Sequence, residues 1–82
     1  MTRAEVYALI NAERDQQAIK WGPPHAWGQG DCSSPDVDDR TKAAVLMEEA
    51  GEVARAILDG HDLRAELVQV AAVAVAWLEA IG

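Results

Sequence analysis

The stretch from Leu63 to Ile81 constrains the fold more than any other part of this chain, because it reads as a helix with almost no polar face. From Leu67 to Leu78 the only polar residue is Gln69. A helix that is apolar around its whole circumference has to be covered around its whole circumference. Immediately before it stands Gly60-His61-Asp62, where the glycine stops the preceding helix and the aspartate supplies an N-cap for the next. A break this short forces the segments at about 39–59 and 63–81 to fold back on each other as an antiparallel αα-hairpin. The apolar run is also shorter than the ~20 residues a membrane span requires, and Gln69 and Glu79 interrupt it, so no membrane association is expected.

A third helix is predicted from about residue 3 to residue 20, with Thr2 as N-cap and Gly22-Pro23-Pro24 as its stop. Its inward residues are expected to be Val6, Leu9, Ile10 and Ala18, and its solvated face Glu13, Arg14, Gln16, Gln17 and Lys20. The hairpin's first helix begins at Asp38 or Asp39 and is expected to bury Val45, Leu46, Ala50, Val53, Ala54, Ile57 and Leu58. A loop of residues 22–37 joins it to the N-terminal helix, and no internal repeat is visible. The chain thus reads as one all-α domain spanning residues 1–82. With 82 residues in total, such a domain has a marginal core of its own. Two partner helices cannot enclose the third. The expectation is a three-helix protomer completed into a helical bundle by a homo-oligomer, dimer or tetramer, most simply through an isologous two-fold interface.

Charge narrows the partners. The formal net charge is −7 and no basic stripe is present, so a nucleic-acid polymer is not an expected ligand. A single cysteine excludes an internal disulfide, and MTRAEVYALINAER lacks the apolar core of a secretory signal; cytoplasmic residence is the expectation. The acidic residues are not scattered. Glu48, Glu49 and Glu52 fan across roughly 100° of one hairpin helix, and Glu66 and Gln69 lie about 60° apart on the other. Antiparallel pairing brings the middle of one helix opposite the first turns of the next. Like charges so placed repel, and a hard dication with oxygen ligands is the simplest means of offsetting that repulsion. A solvated helix face is the ordinary alternative for such a run, and Glu66 alone is explained by its helix dipole.

These residues resemble a known family. MEEAGEVARAIL, joined by a short turn to LRAELVQVAAVAVAWLEAI, is similar to the MazG-like nucleotide pyrophosphohydrolases of the all-α NTP pyrophosphatase superfamily, whose signature is EExxE followed by ExxD. ERDQQAIKWG with a histidine shortly after resembles the short phage and actinobacterial members of that group. The resemblance implies hydrolysis of an NTP or dNTP to the monophosphate and pyrophosphate with Mg²⁺ as cofactor, Mn²⁺ being a substitute. Carried over position by position, it makes Glu49, Glu52, Glu66 and Gln69 metal ligands, gives Glu48 and Glu49 catalytic roles, and lines the substrate pocket with Lys20, Trp21 and His25. No nucleophilic triad and no P-loop competes with it.

Gln69 departs from the family pattern, standing where the ExxD motif has Asp. A carboxamide oxygen still ligates Mg²⁺ but brings no charge. Either a different carboxylate set, drawing in Glu48 or Asp62, holds the ion, or the chain is a weak or inactive nucleotide-binding and oligomerisation module on the same scaffold. By the same resemblance Trp21 or Trp27 would stack on the base; Trp21 otherwise reads as a core anchor closing the end of the first helix, and for Trp27 the two readings stand equal. His25, Cys32 and His61 match no zinc spacing.

Overall fold

A computed structural model describes residues 1–82. Three helices dominate it: α1 (Arg3–Trp21), α2 (Asp39–Asp59) and α3 (Leu63–Ile81). Each begins where a side chain can satisfy the free N–H groups of the first turn. Thr2 and Glu5 form a reciprocal capping box, Thr2 Oγ1 accepting from the Glu5 N–H at 3.1 Å and Glu5 Oε1 from the Thr2 N–H at 2.9 Å. Asp38 accepts from the Thr41 N–H at 2.8 Å and Asp62 from the Ala65 N–H at 3.2 Å. Gly60, at φ 75°, closes α2 in the left-handed conformation, and the His61 N–H returns to the Ala56 carbonyl at 3.0 Å. The helix ends therefore fall within one residue of where cap chemistry puts them.

The connection between α1 and α2 is more ordered than its composition suggests. Two short antiparallel strands, β1 (Pro24–His25) and β2 (Gly28–Gln29), pair Pro24 with Gln29 and His25 with Gly28 around Ala26-Trp27. Gly28 has φ 131°, and a Cβ there would meet the Asp36 carbonyl oxygen at 2.8 Å, so only glycine fits. Asp36 accepts from the Gln29 N–H at 2.7 Å and the Ser34 hydroxyl donates to the Gln29 carbonyl at 2.7 Å, tying the far end of the loop back to the hairpin.

Helix α3 is the shared neighbour. Both α2 and α1 pack on it, whereas α1 and α2 make no more than slight contact with each other. The antiparallel αα-hairpin is present, and the Trp77 indole N–H donates to Asp39 Oδ1 at 2.9 Å, joining the end of α3 to the start of α2. Val73 and Ala76 of α3 form the core with Cys32 of the loop, and Val45 and Leu46 pack against them. No helix is long and apolar enough to cross a membrane.

Several expected faces are corrected. The inward stripe of α2 is Lys42, Leu46, Glu49, Val53 and Ala56, whereas Ala50, Ala54, Ile57 (66% exposed) and Leu58 (80%) point away from the protomer. Helix α2 carries two apolar stripes and α3 covers only one. Val6, Leu9 and Ala18 of α1 are exposed as well, and Leu67 and Leu78 of α3 remain open although its Ala72, Val73 and Ala76 are buried. The supposed solvated face of α1 is half wrong in the opposite sense: Gln17 is buried and Arg14 is turned inward. Arg14 donates from Nη1 to Asp31 Oδ2 and from Nε to Glu79 Oε2, both at 2.7 Å, pinning the loop to α1 and to the end of α3. A guanidinium flanked by two carboxylates is stable where an unpaired one is not.

Candidate functional site

Because α1 and α2 both lean on α3 and scarcely meet each other, a cleft is left between them. It has a volume of about 590 Å³, within the range of small-molecule pockets. Its α1 wall is Glu13, Gln16, Gln17 and Lys20, a stripe at helical spacing that ends in Trp21. Arg40, Thr41, Val45, Glu48 and Glu49 form the α2 wall, Gln69 and Val73 form the floor, and the loop closes one end with His25, Trp27 and Asp31.

The rim is aromatic. The Trp21 and His25 rings meet edge to face with centroids 5.5 Å apart, and Trp27 lies 6.1 Å beyond His25. Lys20 Nζ sits 5.3 Å from the Trp21 ring, a cation–π distance. Both nitrogens of His25 are committed to the loop: Nδ1 accepts from the Trp27 N–H at 3.3 Å, which leaves Nε2 to donate to the Gly30 carbonyl at 2.7 Å. The imidazole therefore offers the cleft its ring, not a free nitrogen. Trp27 is exposed and free to meet a ligand.

Opposite the aromatic rim the surface is acidic. Glu49 is half-buried on the inward stripe of α2, and its carboxyl is pushed above the ordinary range, first by burial and then by the charges of Glu66, Glu48, Glu52 and Glu13. The repulsion expected from the sequence is thus present and centres on Glu49. The four expected metal ligands are nevertheless divided. Glu49 and Gln69 line the cleft, whereas Glu52 is exposed outside it and Glu66 influences Glu49 only through its charge. No three His, Cys, Asp or Glu side chains are close enough to share an ion.

Asp31 is the best-satisfied acid in the molecule. Burial alone would raise its carboxyl, but hydrogen bonds from the Ser33 hydroxyl and N–H at Oδ1 and from Arg14 at Oδ2 outweigh that and hold it below the ordinary range. Beside it, burial and the Asp31 charge push the Cys32 thiol up, which makes it a poor nucleophile and a core residue.

Lys20, Trp21, His25, Glu48, Glu49 and Gln69, drawn from α1, the loop, α2 and α3, all line this one cavity. Sequence reasoning missed Glu13, Gln17, Arg40 and Thr41. The Glu13, Gln17, Lys20 spacing was a readable signal, since it puts three polar residues on one helix face with Trp21 adjoining. Asp31 carried a signal too, as an aspartate whose carboxylate receives the N–H two residues on. Comparison with known protein families, with curated proteins and with solved structures gave no match for this chain.

Proposed function

We propose that this chain is a MazG-like, Mg²⁺-dependent nucleotide pyrophosphohydrolase that converts an NTP or dNTP to the monophosphate and pyrophosphate in the cytoplasm. One observation carries the reading: a cavity of nucleotide size gathers stacking surfaces, two cations and the carboxylates of Glu13, Glu48 and Glu49 from four separate segments. Trp21 and Trp27 offer indole faces to a base, while Lys20 and Arg40 offer positive charge to phosphates. Glu48 lines the cleft without any hydrogen-bonded partner, placed to orient a water and take its proton. The water oxygen then bonds to the α-phosphorus as the bond to the bridging oxygen breaks, and pyrophosphate leaves with the bonding pair.

The donor set fits Mg²⁺ in its chemistry, being made of hard oxygens, and the repulsion at Glu49 is what a dication relieves. Glu49, Glu52, Glu66 and Gln69 would hold the ion after side-chain rearrangement. Bound there, Mg²⁺ supplies neutralisation of the charge that builds on the phosphoryl oxygens. Release of pyrophosphate from a panel of dNTPs with Mg²⁺ tests the reading, and no release from any of them defeats it. Gln69→Asp is expected to lower the Mg²⁺ concentration giving half-maximal rate by about tenfold or more, since it restores a charged ligand. Millimolar Mg²⁺ should also raise the melting temperature of the wild type, because an ion bound only by the folded state stabilises it.

The competing reading, a nucleotide-binding module with little turnover, is favoured by the separation of the carboxylates together with the neutral Gln69. Nucleotide binding without pyrophosphate release decides for it.

The protomer also leaves many large apolar side chains uncovered, Leu9, Met47, Ile57, Leu58 and Leu67 among them, and contiguous exposed apolar faces mark interaction surfaces. Val6, Leu9 and Ile10 of α1 with Leu63, Leu67, Val68 and Ala71 of α3 line one apolar groove, and Met47, Ala50, Ala54, Ile57 and Leu58 form a stripe along α2. We infer that further copies of the chain cover these faces, as a dimer or tetramer. Light scattering should give a mass at least twice the 8.8 kDa of the chain, and Leu67→Glu should shift it toward the monomer. A wild type that stays monomeric at high micromolar concentration rules the inference out.

A further inference from the structure

We propose that Gln17 selects the base, and that it selects one with a carbonyl oxygen at purine C6 or pyrimidine C4, as in guanine, hypoxanthine, uracil or thymine. This rests on the nucleotide reading of the cleft given above. Gln17 lies in the α1 wall of the cavity and is only 8% exposed. Its Oε1 accepts a hydrogen bond from Arg14 Nη1 at 3.2 Å. A guanidinium has donors and no acceptor, so this contact fixes which way the carboxamide faces. The oxygen is spent on Arg14 and the NH₂ is left over.

No protein acceptor engages that NH₂, yet no fully buried side-chain nitrogen or oxygen in the protein lacks a partner, so the group keeps some access to solvent; since Gln17 lines the cavity, we take that access to be on the cavity side. Trp21 follows four residues later on the same face of α1. A base stacked at the aromatic rim would present its edge beside the Gln17 donor. Two N–H donors call for an acceptor on that edge. Keto bases offer an exocyclic oxygen where adenine and cytosine offer an amino group.

The orientation of the amide is what turns a contact into a selector. A free glutamine serves either edge by rotating its terminal group through half a turn. Here rotation would press the NH₂ against the guanidinium and forfeit the Arg14 hydrogen bond. Arg14 is itself held by Asp31 and Glu79, so it cannot follow. The donor is preorganised, and an amino base meets an unpaired donor instead of an acceptor. Arg14 is in this sense a positioning residue for Gln17.

Equilibrium binding of non-hydrolysable dGTP, dUTP, dATP and dCTP analogues, followed by tryptophan fluorescence with Mg²⁺ present, tests the proposal without turnover. The wild type is expected to bind the keto pair on the order of tenfold to a hundredfold more tightly than the amino pair. Gln17→Glu presents only acceptors and is expected to reverse the preference. Gln17→Met should bring the keto-to-amino ratio close to one, and so should Arg14→Lys, which keeps the charge beside Asp31 but loses the fork that reaches Gln17. A wild-type ratio near one overturns the proposal whatever the variants do, and so does a ratio that survives Gln17→Met in protein that melts cooperatively. Failure to bind any of the four analogues has a different meaning: it removes the nucleotide reading itself, and this proposal with it.

Discussion

Glu49→Gln is expected to lower pyrophosphate release by at least about a hundredfold while raising the melting temperature of the metal-free protein. The loss follows from position: Glu49 lines the cleft and is the acidic residue on which the surrounding charges converge. Changing residues that merely support a metal ligand typically costs 10- to 100-fold in affinity or activity, so removing a charged ligand costs at least about the upper figure. The gain in stability follows from linkage. A carboxyl whose folded pKa is raised binds its proton more tightly in the folded state than in the unfolded one. Its favourable contribution is present at pH below the unfolded pKa and disappears as pH rises through the folded value. At neutral pH the charged Glu49 therefore opposes folding, and a neutral isostere of the same shape removes that opposition. Saturating Mg²⁺ should reverse the order, stabilising the wild type more than the variant. Equal activity of the two proteins would take Glu49 out of the reaction, and a variant no more stable than the wild type without metal would remove the electrostatic argument.

Arg14→Met should be the most destabilising single change away from the acidic face. It leaves the Asp31 carboxylate, 6% exposed, without its cation, and frees the loop from both α1 and Glu79. Breaking a buried pair by removing one member costs about 3–5 kcal/mol. An 82-residue domain has roughly 4–12 kcal/mol in total, so the variant sits at the edge of folding. Urea denaturation at pH 7 measures the difference. Adding Asp31→Asn should recover a large part of it, because the lone buried charge is then gone while the Ser33 contacts can persist. The pH dependence has a definite sign. The folded Asp31 carboxyl lies below its ordinary value of 3.8, so its contribution is complete above that pH and is lost as pH falls through the lowered folded value. The gap between wild type and Arg14→Met should accordingly narrow in strong acid. A gap that is unchanged there, or smaller than 1 kcal/mol at pH 7, would mean that the contact is no more than an exposed ion pair.

How the two helices of the hairpin meet was legible because its signals are local. Asp38, Gly60 and Asp62 act within one turn of themselves, and a three-residue break leaves antiparallel packing as the only outcome. The faces were less legible. Ile57 and Leu58 are as apolar as Leu46 and Val53, and nothing within α2 says which stripe α3 will take. Arg14 and Gln17 were misread for a related reason, since a charged or polar residue on a helix reads as solvated unless its partner is known. That partner, Asp31, lies 17 residues away in a loop whose own sequence carries little pattern.

Sequence alone determined that this chain is helical, where its helices start and stop, and that carboxylates crowd the hairpin, because capping, helical period and charge are properties of neighbours along the chain. Tertiary structure decided that α1 and α2 stand apart on α3, that the gap between them is a cleft, and that Lys20, Trp21, Glu49 and Gln69 share it. It also decided that Glu52 lies outside that cleft and that the Gln17 amide faces one way only. Those outcomes depend on which of several equally apolar stripes is buried and on ion pairs between distant residues. Both are settled by the free energy of the whole packed chain, and by no segment of it taken singly.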